Sequence, residues 1–229
     1  RLPNKPLKLI NNKEMILHVL EVAEKAKVGE VFVATPDQQI FDLIKSRGGK
    51  AVITSKNHET GTDRVYEVFK KKLNSKHGII INYQGDMPNL DPLVIKNLAN
   101  HMKRGLCDIA TLASDLKSQN EEKDPNTVKV IVNKKIEKQS FSRAKDFYRI
   151  SNESSNKLIY HHIGIYAFTN KALIRYVSLE RSKLEIKRKL EQLRALDNKM
   201  KIDVGYVESC PLSVDTELDL KAVKEIMEK

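Results

Sequence analysis

GIIINYQGDMP, from Gly78 to Pro88, is the stretch from which the rest of the chain can be read. Ile79, Ile80 and Ile81 follow one another without polar alternation, the pattern of a parallel-sheet strand buried on both faces. Gly85 then lets the backbone turn sharply and leaves Asp86 at the strand's carboxyl end. Open α/β sheets hold their ligands at that edge. The chain has a formal net charge of +11. A carboxylate at a ligand edge in so basic a chain points to a metal ion carrying phosphate.

Working outward, apolar spacing alternates between helix and strand. Met15, Ile16, Val19, Leu20 and Ala23 recur at helical intervals, and Val31 to Thr35 reads as a short strand. Ile40, Phe41, Leu43 and Ile44 predict a second helix, stopped by Gly48-Gly49. A short strand at Ala51 to Ile53 and a polar loop from Thr54 to Thr62 follow. The next helix is expected from Asp63, read as its N-cap, to about Leu73. After the Ile79 strand come a helix from about Asp91 to Arg104 and the strand DIATLA. This rhythm predicts an α/β fold with a doubly wound, mainly parallel sheet.

The rhythm changes after the turn Asp124-Pro125-Asn126. TVKVIVN and KQSFS read as hairpin-like strands, and LIYHHIGIYAF as a long one. The polar run from Ser151 to Lys157 reads as a mobile loop. Helices at Asn170 to Val177, Lys183 to Asp197 and Glu217 to Glu228, with a strand at Lys201 to Val207, complete the pattern. The expected organisation is a single domain over residues 1–229, with a small β-rich insertion at about 125–165.

Composition narrows the function classes. The 229 residues, 40% apolar and 31% charged, describe an ordinary globular chain. No apolar run approaches the roughly 18 to 20 residues that span a bilayer, so no membrane partner is expected. Cys107 and Cys210 match no zinc or redox spacing and read as free thiols in a reducing, cytoplasmic compartment. No signal peptide is visible, and the chain, starting at Arg1, reads as continuing upstream. Its positive charge suits nucleic acid or solvated helix faces. Lys70-Lys71-Lys72 and Lys187-Arg188-Lys189 lie in amphipathic patterns without interleaved aromatics, which favours helix faces over a nucleic-acid partner. Anionic small substrates fit either reading.

Several segments carry chemistry: RLPNKPL at residues 1–7, HETGTDR at His58 to Arg64, YQGDMP, and SVDTELDL at Ser213 to Leu220. DPNTVKV from Asp124, SFSRA from Ser140, HHIGIYAF from His161 and LEQLRAL from Leu190 add to them. In this order they resemble the 3-deoxy-manno-octulosonate cytidylyltransferase (CMP-Kdo synthetase) family across nearly the whole chain. The family counterparts of the first four read RLPGKPL, HxSGTDR, VQGDEP and GVDTPEDL.

The resemblance implies a Rossmann-like fold of the nucleotide-diphospho-sugar transferase type, commonly dimeric. It also implies transfer of a cytidylyl group from CTP to the anomeric hydroxyl of Kdo, with loss of pyrophosphate, for lipopolysaccharide synthesis. Arg1 and Lys5 flank a proline-bearing turn, so their cationic ends can converge on triphosphate oxygens. Thr62 and Arg64, near a helix N-terminus, and Gln84 match nucleotide-side positions. Asp86 and Asp215 are the expected Mg²⁺ ligands, since that ion takes a few carboxylates with phosphate oxygens and water. Either aspartate alone could equally cap a turn. Lys5, Asp86 and Asp215 make up the expected catalytic set. Arg143, His162, Glu191 and Gln192 match positions suited to the sugar. A lone strand histidine is also a common core residue, and Glu191 could pair with Lys187 or Arg194.

The chain departs from the family at named positions. Asn4 stands for Gly, Met87 for Glu, Thr60 for Ser, and Lys187-Arg188 for Ile-Glu. Pro36 interrupts an acidic turn, leaving Asp37 its carboxylate, and Glu217-Leu218 displaces Pro-Glu. The family's strand and basic loop before RLP are expected upstream of Arg1. Three alternatives stand beside this reading: a cytidylyltransferase for another acidic sugar such as sialic acid, a basic nucleic-acid-binding module, and an impaired homologue.

Overall fold

The computed structural model describes residues 2–72, 78–150 and 158–228. Arg1, Leu73 and the loop expected at Ser151 to Lys157 lie outside them. A 3₁₀ turn, Lys5–Leu7, precedes β1 (Leu9–Ile10), β2 (Lys13–Glu14), α1 (Met15–Lys25) and β3 (Val33–Thr35). Next come α2 (Gln38–Ser46), β4 (Ala51–Ile53), α3 (Gly61–Lys72), β5 (Ile79–Asn82) and α4 (Pro92–Lys103). They are followed by β6 (Ile109–Ser114), α5 (Gln119–Lys123), β7 (Lys129–Val132), β8 (Phe141–Tyr148) and β9 (Leu158–Thr169). The chain closes with α6 (Asn170–Ser178), α7 (Lys183–Arg188), α8 (Leu193–Asp197), β10 (Ile202–Tyr206) and α9 (Glu217–Met227). These elements form two compact units.

The first unit comprises Arg1–Asn74, Tyr83–Lys96 and Pro211–Lys229. Its β1–β2 hairpin turns through Asn11 and Asn12, both left-handed at φ 49° and 63°, the two-residue geometry that asparagine tolerates. Strands β3 and β4 pair in parallel, Val33 opposite Ala51. The Asp37 carboxylate caps α2 by accepting from the Gln39 and Ile40 amides. Helix α1 serves two apolar clusters. Met15 packs with Leu2, Ile10, Val214, Leu220 and Val223, whereas Ile16, Leu17 and Leu20 pack with Ile40 and Ile44. Apolar side chains buried from both sides of one helix set its position. The cap expected at Asp63 is displaced. Helix α3 starts at Gly61, and the Thr60 hydroxyl accepts from the Asp63 amide at 3.2 Å while donating to its carboxylate at 2.8 Å.

The second unit, Ser75–Asn82 and Asn97–Cys210, holds a six-stranded sheet in the order β5-β9-β6-β10-β8-β7, with β7 also pairing with β9. Strands β6 and β10 are parallel. Strand β9 runs antiparallel to both β5 and β6, and β8 runs antiparallel to β10 and β7. The stretch from about 125 to 165 supplies β7, β8 and much of β9 to this sheet. All six residues of β6 are buried. Strand β5 departs from its expectation of burial on both faces. Ile80 and Asn82 are buried while Ile79 and Ile81 are half-buried, because β5 stands at one end of the strand order. Three consecutive isoleucines report strand preference and say nothing of neighbours.

The helix expected from Lys183 to Asp197 is broken. Helix α7 ends at Arg188, Lys189 turns left-handed at φ 54°, and α8 begins at Leu193. The break lets Arg194 return to buried Glu185, donating from Nε at 2.8 Å and Nη2 at 2.7 Å. Such a bidentate pair fixes two planar groups edge to edge through two parallel hydrogen bonds.

Candidate active site

In the first unit, backbone bonds set the site before any side chain does. The Leu2 amide donates to the Asp215 carbonyl at 3.0 Å, and the Val214 amide to the Asp86 carbonyl at 2.9 Å. These bonds tie the N-terminal segment and the turn after β5 to the segment preceding α9. Asn4 adopts φ 49°, a left-handed conformation that asparagine tolerates nearly as well as the glycine usual in the resembling motif. The chain then enters the Lys5–Leu7 turn.

The Lys5 ammonium donates to Asp86 Oδ2 and to Asp215 Oδ1, each at 3.0 Å. Burial opposes the charge on Lys5, but the two carboxylates outweigh it and hold its pKa above the ordinary lysine value. The cluster is partly open, with the Lys5, Asp86 and Asp215 side chains 23%, 25% and 62% exposed. Two carboxylates against one ammonium leave an excess negative charge at the point of convergence.

The capping alternative for Asp215 is taken by its neighbours. Thr216 caps α9 by accepting from the Asp219 amide, and Asp219 accepts from the amides of Thr216 and Asp215. Burial raises the Asp219 pKa, but these amide and hydroxyl bonds outweigh it and hold the carboxyl below its usual range. The Asp215 carboxylate is thus directed to Lys5 rather than to the helix end. Asp219 was not singled out from the sequence, although the Thr216-to-Asp219 spacing resembles a capping box.

Two carboxylates aimed at one cation, offering only hard oxygen donors, fit Mg²⁺. The other described residues expected on the nucleotide side, Thr62, Arg64 and Gln84, belong to the same unit. Gly61 allows the first turn of α3 to approach Gln84, since a Cβ there would lie 2.9 Å from Gln84 Nε2. Thr62 is buried, and Arg64 donates from Nη1 to Thr54 Oγ1 at 2.6 Å and to the Ser55 carbonyl at 3.0 Å. Met87 is 4% exposed, and the Tyr83 hydroxyl donates to its carbonyl. The apolar residue that replaces the motif's glutamate is therefore packed inside the unit.

The four residues expected on the sugar side belong to the second unit. Arg143 Nε donates to Asp203 Oδ1 at 2.7 Å across the β8–β10 register. His162 lies inside the sheet, with Nε2 3.0 Å from the Thr111 hydroxyl and its ring edge-on to Phe147. Burial, with a smaller contribution from His161, lowers its pKa to about 3, so the ring is neutral at physiological pH. The Glu191 carbonyl accepts from the Tyr176 hydroxyl at 2.8 Å, and Gln192 is a buried residue preceding α8. Arg188, at a departure from the family pattern, bonds Asp146 at 2.6 Å and the Phe147 carbonyl at 2.9 Å, tethering α7 to β8.

A family model described as cytidylyltransferase matches residues 1–202. The protein class is therefore a nucleotidyltransferase with a mixed α/β fold. A 3-deoxy-manno-octulosonate cytidylyltransferase from Bartonella tribocorum is 41% identical over 228 residues, covering 99% of this chain and 93% of that protein. One from Brucella anthropi is 42% identical over 221 residues, covering 96% and 88% respectively. A solved structure of CMP:2-keto-3-deoxy-manno-octonic acid synthetase complexed with CTP is 37% identical, with a TM-score of 0.89 over 100% of this chain and 93% of that one. The chain belongs to the cytidylyltransferase family, among the 3-deoxy-manno-octulosonate cytidylyltransferases.

Proposed function

We propose that this protein transfers the cytidylyl group of CTP to the anomeric hydroxyl of Kdo, giving CMP-Kdo and pyrophosphate for lipopolysaccharide assembly. The carrying observation is the convergence of Lys5, Asp86 and Asp215 in a chain 41% identical to enzymes of that name. The Kdo hydroxyl oxygen forms a bond to the α-phosphorus of CTP, the bond to pyrophosphate breaks, and the hydroxyl proton passes to solvent. Such transfer depends on positioning and charge neutralisation rather than on a protein nucleophile.

Lys5 neutralises phosphate oxygens in this reading. Asp86 and Asp215 would hold Mg²⁺, which when bound supplies polarisation of the α-phosphate. Arg1, Thr62, Arg64 and Gln84 are assigned to the nucleotide. Arg143, His162, Glu191 and Gln192 are assigned to the sugar. His162 acts there as a neutral hydrogen-bonding group, as its depressed pKa of about 3 requires. The working form is read as a cytoplasmic homodimer. Among the described residues no helix is long and apolar enough to cross a membrane.

The direct test is pyrophosphate release by the purified protein. Release is expected with CTP, Kdo and Mg²⁺ together and not when any one is withheld. Turnover with sialic acid but not with Kdo would overturn the substrate assignment.

A further inference from the structure

A second polar cluster, in the sheet-bearing unit, contains none of the residues assigned to the substrates, although its Asp203 bonds Arg143. His101 and Met102 sit in the last turn of α4, Cys107 precedes β6, and Asp203 lies on β10. All four are buried. One donor atom each from His101, Cys107 and Asp203 lies within 4.8 Å of the others. Cys107 Sγ is also 3.5 Å from the Met102 thioether sulfur.

Local structure holds these groups in place. Gly105 turns left-handed at φ 68° just after α4, bringing Cys107 back beside the helix end. Strand β10 pairs in parallel with β6, Asp203 opposite Ala110. The Asp203 carboxylate lies 2.9 Å from His101 Nε2 and accepts from Arg143 Nε at 2.7 Å. The His101 ring stacks on Phe141 with centroids 3.6 Å apart. Phe141 in turn lies against Gly205, where a Cβ would come within 2.6 Å of its ring.

One atom is left without a bond. His101 Nδ1 is buried and has no hydrogen-bond partner. Nδ1 points away from Asp203, and Nε2 is the ring nitrogen that faces the other donors; with the ring proton on Nδ1, the Nε2 lone pair is open to a metal that Asp203 also binds. Thiol, imidazole and carboxylate together make a borderline-soft donor set, unlike the oxygen pair at Asp86 and Asp215.

We propose that His101, Cys107 and Asp203 form a buried binding site for a thiophilic transition-metal ion of the zinc(II) class, with the Met102 sulfur beside it. Zinc bonds of about 2.0 to 2.3 Å bridge donors roughly 3.5 Å apart, so small side-chain movements close the site. Burial, reinforced by Asp203, pushes the Cys107 thiol up to about 12, so it remains protonated without a cation. On binding, the S–H bond breaks, sulfur bonds the metal, and the proton and the ion's water ligands pass to solvent. The site joins the end of α4 to β6 and β10. Its role is therefore structural, distinct from that of the Lys5, Asp86 and Asp215 cluster.

The test uses reduced, metal-depleted full-length protein titrated with cobalt(II) as the probe. A thiolate-to-cobalt charge-transfer band is expected at one equivalent per chain, displaced by zinc(II). Thiolate absorption distinguishes this site from the all-oxygen aspartate pair. Cys107→Ser should abolish the band, Cys210→Ser should leave it unchanged, and His101→Gln should weaken zinc(II) binding about tenfold or more. Zinc(II) should also raise the Tm of the wild type and not of Cys107→Ser. Absence of the band in the wild type, or its persistence in folded Cys107→Ser, would overturn the proposal.

Discussion

Two charge networks sit in the two units, and their chemistry differs. Around Lys5, two carboxylates share one ammonium and the pocket is partly open. Around Asp203, one carboxylate is matched by Arg143 and His101, and the carboxylate is 10% exposed. Burial raises the Asp203 pKa, but these two partners outweigh it and hold it below the ordinary range. The first network has surplus negative charge and is partly open. The second is closed and, until a cation takes the place of the Cys107 proton, balanced by Arg143. Openness with unbalanced charge marks a place where charged ligands come and go, while balance with closure marks a fixed joint.

The sharpest way to break this contrast is to remove one carboxylate from the open network. Asp86→Asn or Asp215→Asn should lower kcat by on the order of a thousandfold with the fold retained. Wild-type rates in either variant, with Mg²⁺ saturating, would remove the metal assignment.

A smaller effect is expected from the closed interior of the other unit, at His162. Its folded pKa of about 3 lies below the ordinary 6.5, so the unfolded chain binds more protons between those values. Stability therefore falls as pH drops from about 6.5 toward 3, by a few kcal/mol in total at about 1.4 kcal/mol per pH unit. Denaturant midpoints compared at pH 7 and pH 5 should show a smaller loss in His162→Gln than in the wild type. Equal losses would mean that His162 is not the group responsible.

The smallest effect concerns the cation already present. Lys5 stands where a divalent ion's charge would be needed, so the two compete for the same carboxylates. Lys5→Met should tighten Mn²⁺ binding without nucleotide by roughly tenfold, measured by electron paramagnetic resonance. Unchanged or weaker binding would show that Lys5 does not compete with the ion.

Much of the fold was legible because apolar spacing reports which face of an element is buried. The helix beginning at Met15 follows from it directly, and the strand at Ile79 from strand preference, although its burial does not. Pairing was not legible. Strand β9 was foreseen as a long strand, yet its antiparallel insertion between β5 and β6 depends on partners that periodicity does not encode. Nor was the break at Lys189, because the pull of Glu185 on Arg194 comes from a side-chain pairing that helical spacing alone does not rank above continuity.

The sequence by itself determined the family, much of the order of elements and the choice of Asp86 and Asp215, since ordered motifs survive without coordinates. Asp86 at the end of GIIINYQGD needed no structure to be noticed. Only the tertiary structure brought it to Lys5, 81 residues away, and brought Lys5 to Asp215 across 210 residues. It alone buried Met87, and it alone gathered His101, Cys107 and Asp203, whose spacing matches no metal motif. The reason is physical: local pattern reflects the period of one element, whereas a polar site is made where the ends of several elements meet.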